Sequence, residues 1–223
     1  PLLEQTGKSM VAGTPAEADG GTFLKSLIDR IKAINDYWYE STLTTFSKGK
    51  PIRESGKFYF KAPELVRFEA ISAGHRSGSI VVKQKNGKIK AKTGGLIGGL
   101  TLSLSPQSKL LRTSNGFNII ESDLVTLLEA LRSELGTNYK CLATASPFLY
   151  PGLSKVYVLE FLRPGDSVAQ RIALDPERML PVAWSIFSDG KLFSVVQVSN
   201  LAINANIADD LFVLGGQAKG EKA

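Results

Sequence analysis

Cysteine and histidine are almost missing from this 223-residue chain, which has one of each, Cys141 and His75. A lone cysteine excludes an intrachain disulfide, a cysteine-rich zinc centre and a redox pair. A lone histidine excludes any site built on two imidazoles. Long apolar runs are missing too. The longest uncharged stretches, 93–108 and 192–208, are interrupted by glycine, proline or asparagine, and both fall short of the roughly 20 apolar residues of a membrane helix. No GxxxxGK[ST] loop, HExxH pair or EF-hand loop occurs, so the common nucleotide, zinc-protease and calcium signatures are excluded. The chain opens at Pro1 without a basic start and apolar core, and is read as one whose export signal has been removed.

What is present describes a folded chain. Hydrophobic residues make up 43% and charged residues 22%, the proportions of a globular domain. The net charge of +6 favours anionic partners without choosing among them. Residues 1–21 and 215–223 lack periodicity and read as a flexible N-terminal tether and tail around one domain, 22–214. Within it, Phe23, Leu24, Leu27, Ile28 and Ile31 recur at helical spacing, with Thr22 as N-cap, and predict a helix over 22–34. A second helix is predicted where Ser122 precedes Leu124, Val125, Leu127, Leu128, Leu131 and Leu135 and Gly136 stops the run. Elsewhere the period is two. About eleven strands follow from 37–46, 56–60, 65–71, 80–84, 88–92, 100–104, 109–113, 155–163, 168–174, 182–188 and 191–203. Asn86-Gly87 marks a hairpin. The glycine-rich stretch 94–99 reads as a flexible or bulged loop.

Several strands are apolar on both faces, which an antiparallel sheet with one wet side does not need. Val156, Val158 and Leu162 oppose Tyr157, Leu159 and Phe161, and Val182, Trp184 and Ile186 oppose Ala183 and Phe187. Two readings fit: a fully packed core, or a curved sheet around an apolar cavity. Catalytic groups are scarce. His75 lies in a loop-like segment, Cys141 reads as a small buried residue, and Glu69, Glu160 and Asp175 carry no spacing that marks a pair. No enzyme, catalytic residue, cofactor or metal is expected. Lys83, Lys85, Lys88 and Lys90 gather around Asn86-Gly87, which reads either as a solvated hairpin that discourages edge pairing or as a contact for an anionic membrane surface; the absence of interleaved aromatic residues speaks against single-stranded nucleic acid.

The order of elements and the run Gly56-Lys57-Phe58-Tyr59-Phe60-Lys61-Ala62-Pro63-Glu64-Leu65-Val66-Arg67-Phe68-Glu69 resemble the G-x-F-x-F-x-x-P-x-x-x-R-x-E region of the LolA/LolB-like lipoprotein carrier superfamily. The ending is similar, from Asp175-Pro176 through Leu180-Pro181 and Asp189-Gly190 to Asn200, Ile203-Asn204 and Phe212. The resemblance implies an α+β fold, an unclosed antiparallel β-barrel with helices covering the concave face. It also implies a periplasmic or outer-membrane-associated carrier of lipid or of acylated proteins. The arginine that precedes the proline in that family's motif is Ala62 here, so energy-coupled lipoprotein transfer is not expected. The expected apolar cavity is lined by Phe58, Phe60, Val66, Phe68, Leu159, Phe161, Trp184 and Ile186, and closed by Leu27, Ile31 and Leu128. The alternative is an envelope structural or interaction protein with a filled core and a protein partner.

Overall fold

The computed structural model describes residues 7–12, 17–46, 49–94, 99–150 and 152–214. The tail at 215–223 and residues 95–98 of the glycine-rich stretch lie outside the described residues. Among the described residues, two helices, α1 (Gly20–Lys32) and α2 (Leu124–Ser133), accompany thirteen strands. These are β1 (Glu17–Asp19), β2 (Asp36–Thr45), β3 (Ile52–Lys61), β4 (Leu65–Ser72), β5 (Ile80–Lys83), β6 (Ile89–Lys92), β7 (Thr101–Leu104), β8 (Lys140–Thr144), β9 (Phe148–Leu149), β10 (Lys155–Leu162), β11 (Val168–Leu174), β12 (Pro181–Ser188) and β13 (Lys191–Ile203). The strand order is β1-β8-β10-β11-β12-β13-β2-β3-β4-β5-β6-β7, with β9 on β10. The sheet is mostly antiparallel and does not close, which is the α+β, half-barrel class read from the sequence. No helix among the described residues is long and apolar enough to cross a membrane.

The strand count differs from eleven for local reasons. Ser108 Oγ accepts from Leu110 N at 3.3 Å, which winds Lys109–Leu111 into a 3-10 turn where alternation predicts a strand. Strands β1, β8 and β9 fall where the sequence reads as tether or loop. Asp19, not Thr22, begins α1: its carboxylate accepts from Gly21 N at 3.0 Å and Thr22 N at 3.3 Å. The Thr22 hydroxyl and then the Gly21 amide hold the Asp19 carboxyl below its ordinary range, as for an anion at a helix N-terminus. Gly20 is required there because a Cβ would lie 2.5 Å from the Cys141 carbonyl carbon. At the predicted hairpin Gly87 adopts φ +72° and its N–H donates to Gln84 O at 2.8 Å, as the Asn-Gly signal requires.

The chain forms two compact units, each discontinuous in sequence. Unit 1 draws on Pro1–Lys32, Thr44–Pro51 and Leu124–Gln197, and unit 2 on Ala33–Leu43, Ile52–Asp123 and Val198–Ala223. In unit 1, Val156, Val158 and Leu162 of β10 pack with Val168, Ala173, Ala183, Phe187 and Tyr150. Within the 1–21 stretch read as a tether, Met10 and the fully buried Val11 seal this same cluster. Beneath them Glu160 and Arg171, at 0% and 2% exposure, form an ion pair at 2.7 Å. Glu160 accepts from Ser9 Oγ and Met10 N, while Arg171 donates to Lys8 O and stands 5.2 Å over the Phe187 ring.

Unit 2 has apolar clusters of its own. Tyr59 and Leu65 are covered by Ile207, Leu211 and Phe212, with Trp38 alongside. Asp36 accepts from Ala205 N and Ile207 N, and the buried Arg67 donates to Leu211 O at 2.8 Å and to Glu69 at 2.6 Å. A second cluster of Val81, Ile89, Ala91, Leu111 and Ile120 includes residues of the segment that precedes α2.

Candidate apolar binding wall

In unit 1 the second face of β10–β13 carries the predicted wall. Strand register aligns Leu159 with Ile172, Trp184 and Val196, and Phe161 with Gln170, Ile186 and Ser194. Antiparallel partners share a face, so these form two rows across four strands. Helix α1 lies on that face: Phe23 meets Tyr157 of β10 at 5.7 Å between ring centres, and Leu24, Leu27, Ile28 and Ile31 are buried. Helix α2 buries Leu124, Leu128 and Leu131 and is joined to α1 by Lys32–Glu129 at 2.7 Å. Lys32 and Arg132 hold the Glu129 carboxyl below its ordinary range. Leu159, Phe161 and Ile172 are fully buried, whereas Gln170 and Ile186 are half-buried. Seven predicted residues, Leu27, Ile31, Leu128, Leu159, Phe161, Trp184 and Ile186, therefore belong to unit 1.

The other four lie in unit 2. Phe58 pairs across strands with Phe68, and Phe60 with Val66. Phe58 and Phe60 stack on two rings the sequence reading did not single out, with Tyr37 5.1 Å from Phe60 and Tyr39 5.2 Å from Phe58. Burial pushes the Tyr39 hydroxyl far above the ordinary tyrosine range, with Asp123 adding to it. The four rings are thus mutual contacts in a packed stack. Period-two alternation was the signal for Tyr37 and Tyr39, which share a strand face in Tyr-Trp-Tyr.

The basic hairpin is partly neutralised. Lys83 bonds Glu64 at 3.0 Å, and Lys85 helps Lys61 hold the exposed Asp209 carboxyl below its ordinary range. Lys88 is exposed and Lys90 half-buried opposite Ser103. The three carboxylates named from the sequence have structural partners: Glu69 has Arg67, Glu160 has Arg171, and Asp175 accepts from Glu177 N and Arg178 N. Among the described residues no group of three His, Cys, Asp or Glu side chains is placed to hold a metal.

Unit 1 also holds a pocket of ~800 Å³ where the end of α2, the start of α1 and the β10–β11 turn meet, lined by Asp19, Tyr139, Lys140, Cys141 and Arg163 among others. Burial, with Asp19 beside it, pushes the Cys141 thiol up to about 12. The thiolate is the reactive form, so folded protein at pH 8.5 is expected to resist iodoacetamide over a time in which urea-unfolded protein is fully alkylated. Because the raised value favours the protonated folded form, stability falls as pH rises from about 8.5 towards 12. Prompt alkylation of folded protein at pH 8.5 would contradict this placement.

An open, mostly antiparallel sheet with a helix pair laid on an apolar face in unit 1 is an α+β arrangement. No family model matches the chain, and no curated protein matches it in sequence. Solved structures do match. Lipoprotein LppX of Mycobacterium tuberculosis aligns with a TM-score of 0.50 at 13% identity, over 85% of this chain and 97% of its own. A conserved uncharacterised protein of Thermus thermophilus aligns with a TM-score of 0.50 at 11% identity, over 84% and 91%. A LolA superfamily protein of Nitrosomonas europaea gives 0.48 at 12% identity, over 86% and 98%. The likeness is one of fold.

Proposed function

We propose that the protein is a non-catalytic, extracytoplasmic carrier or binding protein for lipid or lipoprotein acyl chains in the bacterial envelope, with 22–214 as its single binding domain. The observation that carries this reading is the helix-covered apolar wall of unit 1, on a fold shared with a lipoprotein. Burying each methylene is worth about 0.8 kcal/mol, so a long acyl chain needs few polar contacts to be held. The exposed members of the Lys83, Lys85, Lys88 and Lys90 hairpin suit an anionic membrane surface from which such a chain would be taken. An acylated protein is the other partner of the same chemistry.

A second reading, an envelope interaction protein with a filled core and a protein partner, draws on the Tyr37, Tyr39, Phe58 and Phe60 stack. Native mass spectrometry of protein purified from the producing bacterium separates the two. A co-purifying lipid, with saturable micromolar binding of a fluorescent fatty acid after delipidation, is the expected result. Protein that is always empty and binds no probe would leave the interaction protein standing.

A further inference from the structure

Strand β7 ends the strand order and, among the described residues, pairs only with β6. The register fixes which of its backbone groups face outward. Thr93 N donates to Leu100 O at 3.0 Å, so in this antiparallel ladder Leu100, Leu102 and Leu104 turn their backbone groups towards β6, and Thr101 and Ser103 turn theirs away. Both of these residues are exposed. Each offers an N–H and a C=O along the open edge, the arrangement to which an extended peptide adds as a further strand. Such edges are commonly blunted by a proline, a bulge or a charge of their own. Strand β7 is Thr-Leu-Ser-Leu in unbroken register and has none of these.

The charge beside the edge specifies what fits it. Residues 70–120 contain eight lysines and arginines and no aspartate or glutamate. Cross-strand pairing sets Lys92 beside Thr101 and Lys90 beside Ser103, and such partners share a face. Among the described residues no carboxylate pairs with either lysine. The opposite face of the edge is apolar, with Leu102 and Leu104 half-buried and Leu100 59% exposed. We infer that β7 is a docking edge for an extended acidic segment of a partner protein. Added as a further strand, that segment turns carboxylates at alternate positions towards Lys90 and Lys92 and sets the apolar side chains between them against Leu102. A second copy of this chain does not suit the edge, because pairing β7 with β7 brings two basic faces together, and like charges at an interface disfavour the wrong partner. This docking edge lies in unit 2 and is independent of the carrier reading, which rests on the wall of unit 1.

The test titrates the whole chain into fluorescein-labelled Gly-Glu-Val-Glu-Val-Glu-Gly and follows anisotropy. The parent is expected to bind this peptide saturably at low salt and to lose affinity as salt rises, as exposed charge pairs do. The same peptide N-methylated at each glutamate keeps its charge but loses the donors that the edge carbonyls require. It should bind about 30-fold more weakly, the value of two net hydrogen bonds. Ser103→Pro, a residue tolerated on a sheet edge, should weaken the unmodified peptide comparably while circular dichroism stays unchanged. Lys90→Gln combined with Lys92→Gln should weaken it and flatten the salt dependence. The N-methylated comparison is made on the parent, so it decides even if Ser103→Pro fails to fold. Equal binding of the two peptides overturns the inference, because the lysines then attract charge without strand addition. An unbound peptide, with phosphatidylglycerol vesicles still capturing the protein, also overturns it and leaves the hairpin to the membrane. Dimerisation of the parent that Ser103→Pro abolishes overturns it in favour of a second copy. None of these outcomes alters the fatty-acid binding by which the carrier reading is judged.

Discussion

Replacing Arg171 with methionine is expected to destabilise the protein by about 3–5 kcal/mol, the usual cost of leaving one charge of a buried pair without its partner. Arg171 and Glu160 are at 2% and 0% exposure, and their contact is 2.7 Å. In Arg171→Met the Glu160 carboxylate keeps Ser9 Oγ and Met10 N as donors but loses its countercharge in a region closed by Val11, Phe187 and Leu162. Urea unfolding followed by tryptophan emission measures the loss. The pair also fastens the N-terminal segment, because Arg171 holds Lys8 O and Glu160 holds Met10 N. Amide exchange at Met10 and Val11 should therefore rise more in this variant than exchange in β12. The double variant Glu160→Met, Arg171→Met should recover part of the stability, since no uncompensated charge remains, but not the protection of Met10. A single-variant cost below about 1 kcal/mol would mean that water reaches the pair, as it does for surface ion pairs.

That pair also marks where sequence reading stops. Alternation along β10 and β11 sorts Leu159, Phe161 and Ile172 onto one face and Val158 and Ala173 onto the other, and it does so correctly because period two is a property of the strand alone. It places Glu160 and Arg171 on the face of Val158 and Ala173 but is silent on what covers them. The cover is a short irregular segment, held by the Ser9 hydroxyl on Glu160 and otherwise through backbone groups of Lys8, Met10 and Gly7, which every residue type possesses. Long-range backbone pairing of this kind has no residue signature. Strand β8 was hidden for a related reason: Lys140–Thr144 is short and enters from the turn at Gly136. The same limit applied to the wall. Its apolar members were legible, whereas the hydrogen bond between Gln170 and Trp184, fourteen positions apart, was not. The Asn86-Gly87 hairpin lies at the opposite extreme, because its turn conformation is dictated by two adjacent residues.

Phe58→Ala is expected to cost about 3–5 kcal/mol, the range for emptying a ring from a core, and to weaken acyl-chain binding no more than the loss of folded protein accounts for. Phe58 is 3% exposed, with Tyr39 at 5.2 Å, Tyr37 at 6.4 Å and Phe68 opposite on β4. Ring stacking adds to the area term, and neither tyrosine can collapse into the gap without breaking its stack on Phe60 or on its neighbour. Trp184→Ser should behave in the other way. It removes apolar wall, so binding of a fluorescent fatty acid should fall by more than tenfold under conditions where the variant remains fully folded. Thermal unfolding and probe titration on the two variants side by side make the comparison. If Phe58→Ala abolishes binding in protein that circular dichroism finds fully folded, the aromatic stack is part of the binding surface. If binding by Trp184→Ser follows its stability alone, the unit 1 wall is core, and the interaction-protein reading takes precedence.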